Sequence, residues 1–474
     1  MKYRSWFPAA AATLAAASLS GCSSPFSADD IYDRLVRSGI RRPDRAADVE
    51  ELPPRSAKAE LPADGITLAD LLAQAERANP DLRSSRSAVG IAAGQVWQAG
   101  LYPNPTGSVT SGEIGFEGDS SNTIVGATQP IVIGNRLRAA VAAADAEEAA
   151  KLADVERVRR EVYGRVAELH ARVLELDAQL SLVDELVSVA TQTLDIAETR
   201  FEARAVAEPD VIRPRVEVHQ LRADRQRIAQ ELNAVEKQLG LVLNTDPISA
   251  ARLGSSIPTT PEPLNEEQLV TAVEAAHPAL IVADREVDAA EATLQRIRAE
   301  RVPDLNVTAG VGYSEEGNQG IAEIGVGAEI PLWDRRQGDI MSARFELMKR
   351  RQDKAATRNR LLSELAEHIG VYDAARNQLA VIRDQVSPDA QRAFEQIDES
   401  YRAGRASFID LLDAQRTLMQ SRRTLIELAG RASVARARIA AISGMDILPG
   451  SNRHQSELHP MNPTTAPAGA EETP

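Results

Sequence analysis

The sequence predicts a mainly α fold. Long antiparallel coiled-coil helices carry two β-hairpins, and the four strands have the alternation of a membrane β-barrel. Three observations predict it: the chain repeats itself, a long stretch steps its apolar residues by seven, clearly in the first half and less regularly in the second, and another alternates them by two, strictly in the second half and more weakly in the first. Composition agrees. Aromatic residues make up only 4% of the 474 residues, and Ala, Glu, Arg and Leu are abundant, which suits long helices better than a thick globular core.

The first element is a leader. Lys2 and Arg4 precede an apolar, Ala-rich stretch from Trp6 to about Ala17, and Leu19-Ser20-Gly21-Cys22 follows. This order reads as a secretory signal over residues 1–21. Cys22 is the only cysteine, so it has no partner for an internal disulfide. Its surroundings resemble a lipobox, which implies acylation of the thiol and a mature chain that starts there. Ser23 in place of Asp implies sorting to the outer membrane. Loss of Lys2 and Arg4 makes the formal charge of −15 more negative by two. So acidic a surface repels phosphate backbones and argues against nucleic acid as a partner.

The repeat sets the boundaries. Ala78-Asn79-Pro80-Asp81-Leu82 reappears as Ala276-His277-Pro278-Ala279-Leu280, and Pro105 and Pro303 follow at equal distance. Gln129-Pro130-Ile131 matches Ile330-Pro331-Leu332. Phe201 with Pro209-Asp210-Val211-Ile212 matches Tyr401 with Ile409-Asp410-Leu411-Leu412. The reading is a segment 22–66, a first repeat 67–244, a Pro/Ser/Thr-rich linker 245–265, a second repeat 266–444, and a polar tail 445–474 expected to be disordered.

Each repeat holds one hairpin, at about 105–133 and about 303–332. In the second, Leu305, Val307, Ala309, Val311 and Tyr313 alternate with Asn306, Thr308, Gly310, Gly312 and Ser314. The return strand sets Ala322, Ile324, Val326, Ala328 and Ile330 against Glu323, Gly325, Gly327 and Glu329. Such alternation fits a strand with lipid on one side and a polar lumen on the other, and equally fits a half-buried hairpin. The turns at 117–120 and 315–318 are acidic and polar, as an extracellular loop should be. No later segment has the long uncharged apolar run of a transmembrane helix. Four strands do not close a barrel, so spanning lipid requires oligomerisation, with two, three or more copies.

The rest is helical. From about Asn135 to Arg204, one set of apolar residues (Val162, Leu169, Leu176, Val183, Ala190, Ala197) steps by seven. A second set does the same (Val166, Val173, Leu180, Val187, Leu194, Phe201), which marks a coiled-coil seam. A helix of this size would measure roughly 100 Å. A matching run spans about Arg335 to Ala403. Each rod ends in a short break and a returning helix of half its length, about Pro209–Leu243 and Ser407–Ser443. The segments before the hairpins, about Leu68–Leu101 and Glu266–Arg301, are half-length helices too.

These features, with Tyr401-Arg402-Ala403-Gly404 followed by Phe408-Ile409-Asp410-Leu411-Leu412-Asp413-Ala414-Gln415, resemble the TolC-type outer-membrane factors over nearly the whole mature chain. The resemblance implies a homotrimer with a 12-stranded barrel in outer membrane lipid. It further implies a helical periplasmic cylinder, a lipid-anchored N-terminal periplasmic segment, and a passive conduit rather than an enzyme. The implied partners are a periplasmic adaptor (membrane fusion) protein and an inner-membrane pump of the resistance-nodulation-division class. Tyr102-Pro103-Asn104-Pro105 and Gln129-Pro130-Ile131-Val132-Ile133-Gly134-Asn135-Arg136 resemble the heavy-metal branch, the CzcC-like and CusC-like channels. That branch usually has a second glycine and a lysine where this chain has Asn135 alone before Arg136. Drug, solvent and type I secretion channels share the architecture.

No catalytic constellation is present: no His-Glu-x-x-His, no phosphate loop, no catalytic thiol. No cofactor or metal site is expected. His170 and His368 fall in the rods as packing or surface residues. His454, His459 and Met461 cluster in the tail and read as solvated, with weak soft-metal binding as the alternative. Asp410 and Asp413 share a helix face near the second tip. In a trimer each becomes a ring of three, which selects cations at a constriction, and Arg213 and Arg405 are the expected ion-pair partners of this gate. The alternative is a helix N-terminus that favours acids. Ala205 and Ala406, in the breaks between long and returning helices, are the expected contacts of the adaptor. A lipid-tethered coiled-coil scaffold is the competing reading of another class.

Overall fold

The computed structural model describes residues 61–112, 122–314, 319–403 and 405–444. Cys22 and the leader, the turns at 117–120 and 315–318, Gly404, and the tail with His454, His459 and Met461 lie outside the described residues. Of the described residues, 88–149 with 286–349 form one compact unit. Residues 61–87, 150–285 and 350–444 form a second.

The first unit is built on one antiparallel sheet of four strands in the order β1-β2-β3-β4: β1 Thr106–Gly112, β2 Asn122–Ile131, β3 Leu305–Ser314 and β4 Gln319–Ala328. The two hairpins join through β2 and β3, with Val125 opposite Val311 and Thr128 opposite Thr308. β4 stops at Ala328, short of the Ile330 end read from the alternation. The proline at 331 has no amide to continue a ladder. At the helical end of the sheet, Arg136 is ion-paired to Asp304, and Glu300 takes Arg296 at 2.5 Å and Arg336 at 3.2 Å. Gly134 has φ +73°, a left-handed position that suits glycine, and a Cβ added there would lie 3.6 Å from Val302. Leu294, Ala343 and Leu347 form a small core nearby.

The second unit is helical. Among the described residues the helices in chain order are α1 Leu68–Ala78, α2 Pro80–Ala99, α3 Arg136–Glu202, α4 Glu208–Val242, α5 Glu266–Ala276, α6 Pro278–Ala299, α7 Gln337–Val381, α8 Ser387–Arg402 and α9 Phe408–Ser443. Parts of α2, α3, α6 and α7 lie in the first unit.

The seven-residue seam is the buried stripe of α3. Val162, Val166, Leu169, Val173, Leu176 and Val183 pack with Ile228, Leu232 and Leu239 of α4. Each large side chain buried there stabilises the pair by about 1.5–3 kcal/mol relative to exposure. Another face of α3 meets α9 at small residues, and a Cβ added at Gly164 would lie 2.5 Å from Ala441 Cβ. A separate core joins Leu361, Leu365 and Tyr372 of α7 to Ile439 of α9 and Val273 of α5.

Two helices read as continuous are broken. The segment from Leu68 splits at Asn79, and the one from Glu266 splits at His277. Both residues are extended (ψ 127° and 125°), as a residue before proline tends to be. Asn79 mends the break: its Nδ2 donates to the Val242 carbonyl at 2.8 Å, and its Oδ1 accepts from the amides of Asp81 and Leu82 at 2.9 and 3.1 Å. The second rod contains a π-turn, Ile382–Val386, between α7 and α8. It sits just before Pro388, whose missing amide breaks the regular bonding of the turn. The linker is packed: Tyr372 donates to the Glu262 carbonyl at 2.6 Å, Arg383 to that of Thr259 at 3.1 Å, and Ile257 lies against Leu379.

Candidate functional site: the sheet faces and the helical tips

The sheet has two unlike faces. Register puts Val109, Val125, Val311 and Ala322 in one row, and Ala127, Ala309 and Ile324 in the next. This apolar face is open: Val109 is 73% exposed, Val326 70% and Ile324 83%. A half-buried hairpin would cover it. The opposite face carries Ser108, Thr110, Thr308, Glu323 and several glycines, with Ile124 and Ile321 in one row among them, and Thr128 and Thr308 share a hydroxyl hydrogen bond of 2.9 Å. On this polar face the central strands crowd. A Cβ at Gly126 would lie 3.2 Å from the Ala309 carbonyl, one at Gly310 2.9 Å from Ile124, and one at Gly312 would strike the Thr123 carbonyl. On the edge strands, a Cβ at Gly107, Gly320 or Gly327 meets nothing. Among the described residues the sheet's edges, β1 and β4, remain unpaired within the chain.

The tips lie in the second unit and share one design. After α3 the amide of Ala205 donates to the Arg200 carbonyl, and after α8 that of Arg405 donates to Ser400, both at 2.8 Å. Arg204 takes the left-handed position at φ +58°. Each returning helix is opened by an aspartate at its third residue. Asp410 Oδ2 accepts from the Ser407 hydroxyl at 2.7 Å and the Ser407 amide at 2.9 Å, and Asp210 accepts from the Ala207 amide at 3.2 Å. Those two bonds from Ser407, the hydroxyl first, hold the Asp410 carboxyl below the usual carboxylate range.

Each candidate residue of the tips can be placed. Asp410, Asp413, Arg213 and Arg405 are exposed, Ala205 is exposed, and Ala406 is half-buried. Among the described residues, neither Arg213 nor Arg405 lies within 4 Å of a carboxylate. Within one chain the two arginines and two aspartates are therefore not brought together, and any such pair forms between chains. Sequence reasoning missed the contact that joins the tips: the Arg200 guanidinium sits 4.8 Å from the centroid of the Tyr401 ring, which also meets Phe408 at 5.9 Å. No periodicity marks a cation over a ring from another repeat. It also missed His277, whose Nδ1 accepts from the Ala279 amide at 3.1 Å and opens α6 as Asn79 opens α2. The match of Asn79-Pro80 to His277-Pro278 was the available signal.

Residues 71–244 and 269–445 match the family model described as outer membrane efflux protein. The chain is 26% identical over 386 residues to the cobalt-zinc-cadmium resistance protein CzcC of Cupriavidus metallidurans, covering 80% of this chain and 90% of that protein. Among solved structures it is similar to the outer membrane protein VceC of Vibrio cholerae (TM-score 0.65, 19% identity, 80% of this chain and 96% of that one). It is similar also to CusC (TM-score 0.64, 19% identity, 79% and 91%).

Proposed function

Because the chain belongs to the outer membrane efflux protein family, an outer-membrane channel family rather than one of enzymes, we propose that it is the exit duct of a tripartite pump for heavy-metal cations. The observation that carries the channel reading is the four-stranded sheet with its two unlike faces and open edges. Its apolar face is exposed, its other face carries the hydroxyls, Glu323 and most of the glycines, and among the described residues both edges are open. In lipid an open edge leaves amides and carbonyls unsatisfied, so the sheet has to close with further copies. Three copies give a barrel of twelve strands with a polar lumen.

The metal reading is supported by the similarity to a protein named for cobalt, zinc and cadmium resistance over most of both chains. In this reading a periplasmic adaptor meets the tips, an inner-membrane pump of the resistance-nodulation-division class supplies the energy, and acylated Cys22 tethers each copy to the membrane. The channel is passive and holds its cargo weakly, since conduction requires exit as well as entry.

The test is deletion and complementation in the native host. Loss of the gene should lower tolerance to cobalt, zinc or cadmium and raise the cell-associated metal, with recovery on complementation. Unchanged metal tolerance with new sensitivity to dyes or detergents would make it a drug channel instead.

A further inference from the structure

Just beyond β4 the chain forms a cleft of about 480 Å³ lined by Arg301, Arg335, Arg344, Leu332, Trp333 and Met341. Most arginines near it are neutralised: Arg136 by Asp304, Arg296 by Glu300, and Arg336 by Glu300 and Asp339. The three in the cleft are not. Among the described residues none of them has a carboxylate within 4 Å, and the one side-chain bond they make is from Arg335 Nε to the Pro331 carbonyl at 3.4 Å. In a chain of formal charge −15, three unpaired guanidiniums around one hollow are a marked departure. Beside them Trp333 is 86% exposed, Met341 60% and Leu332 57%.

We propose that this cleft binds the phosphate headgroup of an anionic phospholipid. The proposal rests on the membrane reading of the sheet. β4 ends at Ala328, so residues 330–335 stand where an outward apolar strand leaves hydrocarbon for water. An exposed indole there fits the aromatic girdle of a membrane barrel. Guanidiniums match phosphate oxygens in two-point hydrogen bonds. Leu332 and Met341 offer an acyl chain an apolar wall. A second copy of the chain fits less well. The segment that would lie beside the end of β4 in a closed ring, Leu101 to Gly112 leading into and through β1, contains no Asp or Glu to neutralise three arginines.

The experiment uses the full chain with Trp6 and Trp97 replaced by Phe, so that Trp333 is the one reporter. The protein is reconstituted in phosphatidylcholine vesicles containing either brominated phosphatidylglycerol or brominated phosphatidylcholine. Phosphatidylglycerol should quench Trp333 in preference, by on the order of ten-fold in apparent affinity. The triple variant R301Q/R335Q/R344Q should lose the preference, and R301K/R335K/R344K should keep most of it. Free inorganic phosphate should not abolish it. Equal quenching by both lipids overturns the proposal, as does displacement by inorganic phosphate alone, which would make the cleft a free-anion site. A Trp333 quenched by neither lipid also overturns it and indicates a protein cover. A second reporter, I324W with all three native tryptophans replaced by Phe, separates the two readings. If it is quenched by both lipids, the membrane reading stands without the headgroup site; if by neither, the membrane reading itself fails.

Discussion

Asp410 shows how one side chain serves a helix and stands ready to serve a pore. Its Oδ2 is committed to Ser407, which favours the charged form and opens α9. An aspartate held in this way is a fixed negative charge, and we propose that in the trimer three of them form a ring at the pore. Asp413 sits one turn on, exposed. Alanine at 410 would remove the cap as well as the charge, at about 1 kcal/mol of local stability. Asparagine keeps an acceptor for Ser407 and removes only the charge. In planar bilayers the pair D410N/D413N should weaken cation selectivity and block by multivalent cations; unchanged selectivity would leave Asp410 as a helix cap alone and Asp413 as a solvated surface charge. His277 carries a different consequence. Burial first, then the Arg160 guanidinium, lower its value from 6.5 to about 4, and its Nδ1 must stay unprotonated to accept from Ala279. The unfolded chain therefore binds more protons than the folded one between about 6.5 and about 4, and stability falls as pH drops through that window. His277→Asn supplies the cap that Asn79 supplies in the first repeat, without the titration. Unfolding followed across that window should show the variant losing less stability on acidification, because it keeps the cap and carries no group there whose proton affinity falls on folding. Buried His170, also lowered to about 4, retains its own share. An unchanged acid slope would remove His277 from the account.

At the scale of elements, what was legible followed from periodicity. The seven-step pattern marked the residues that α3 buries against α4, because a helix shows the same face every seventh residue. The two-step pattern marked the faces of β3 and β4, and the register of the sheet carries those faces across all four strands. The breaks at Asn79 and His277 were not legible, since proline at the first turn of a helix is as compatible with a start as with a bend. The π-turn was hidden for the same reason, with Pro388 lying inside an otherwise helical run. The tips were legible as breaks, but their shared geometry, an amide reaching back five residues, needed coordinates. That geometry gives each tip a compact, exposed end, and Arg200 over Tyr401 holds the two ends side by side. We propose that a helical hairpin of an adaptor docks there. Photocrosslinkers at Ala205 and Ala406 should capture the adaptor in cells. Capture only from positions in the strands, with none from either tip, would reverse the proposed docking.

At the scale of the whole molecule, the chain is incomplete alone. The sheet satisfies the facing groups of β2 and β3 and leaves one row of backbone groups open on β1 and another on β4. In water such edges cost little, since solvent bonds them. In hydrocarbon each unsatisfied group costs several kcal/mol, so a row of them excludes the single sheet from lipid. Closure is head to tail: β4 of one copy has to meet β1 of the next, and the rotation has to return on itself. Eight strands, two copies, is the smallest membrane barrel and has an interior filled by side chains. Strand number alone does not choose between two copies and three. Three copies are the number expected from the family resemblance. The purified, detergent-solubilised protein should have three times the chain mass by light scattering corrected for detergent, and it should run as an oligomer on unheated gels. D410N/D413N should leave that mass unchanged, because the aspartates lie away from the strand edges in sequence and in unit. A clean monomer with full helicity in mild detergent would mean that the edges are not closed by copies, and the tethered scaffold would then be the better account of the chain.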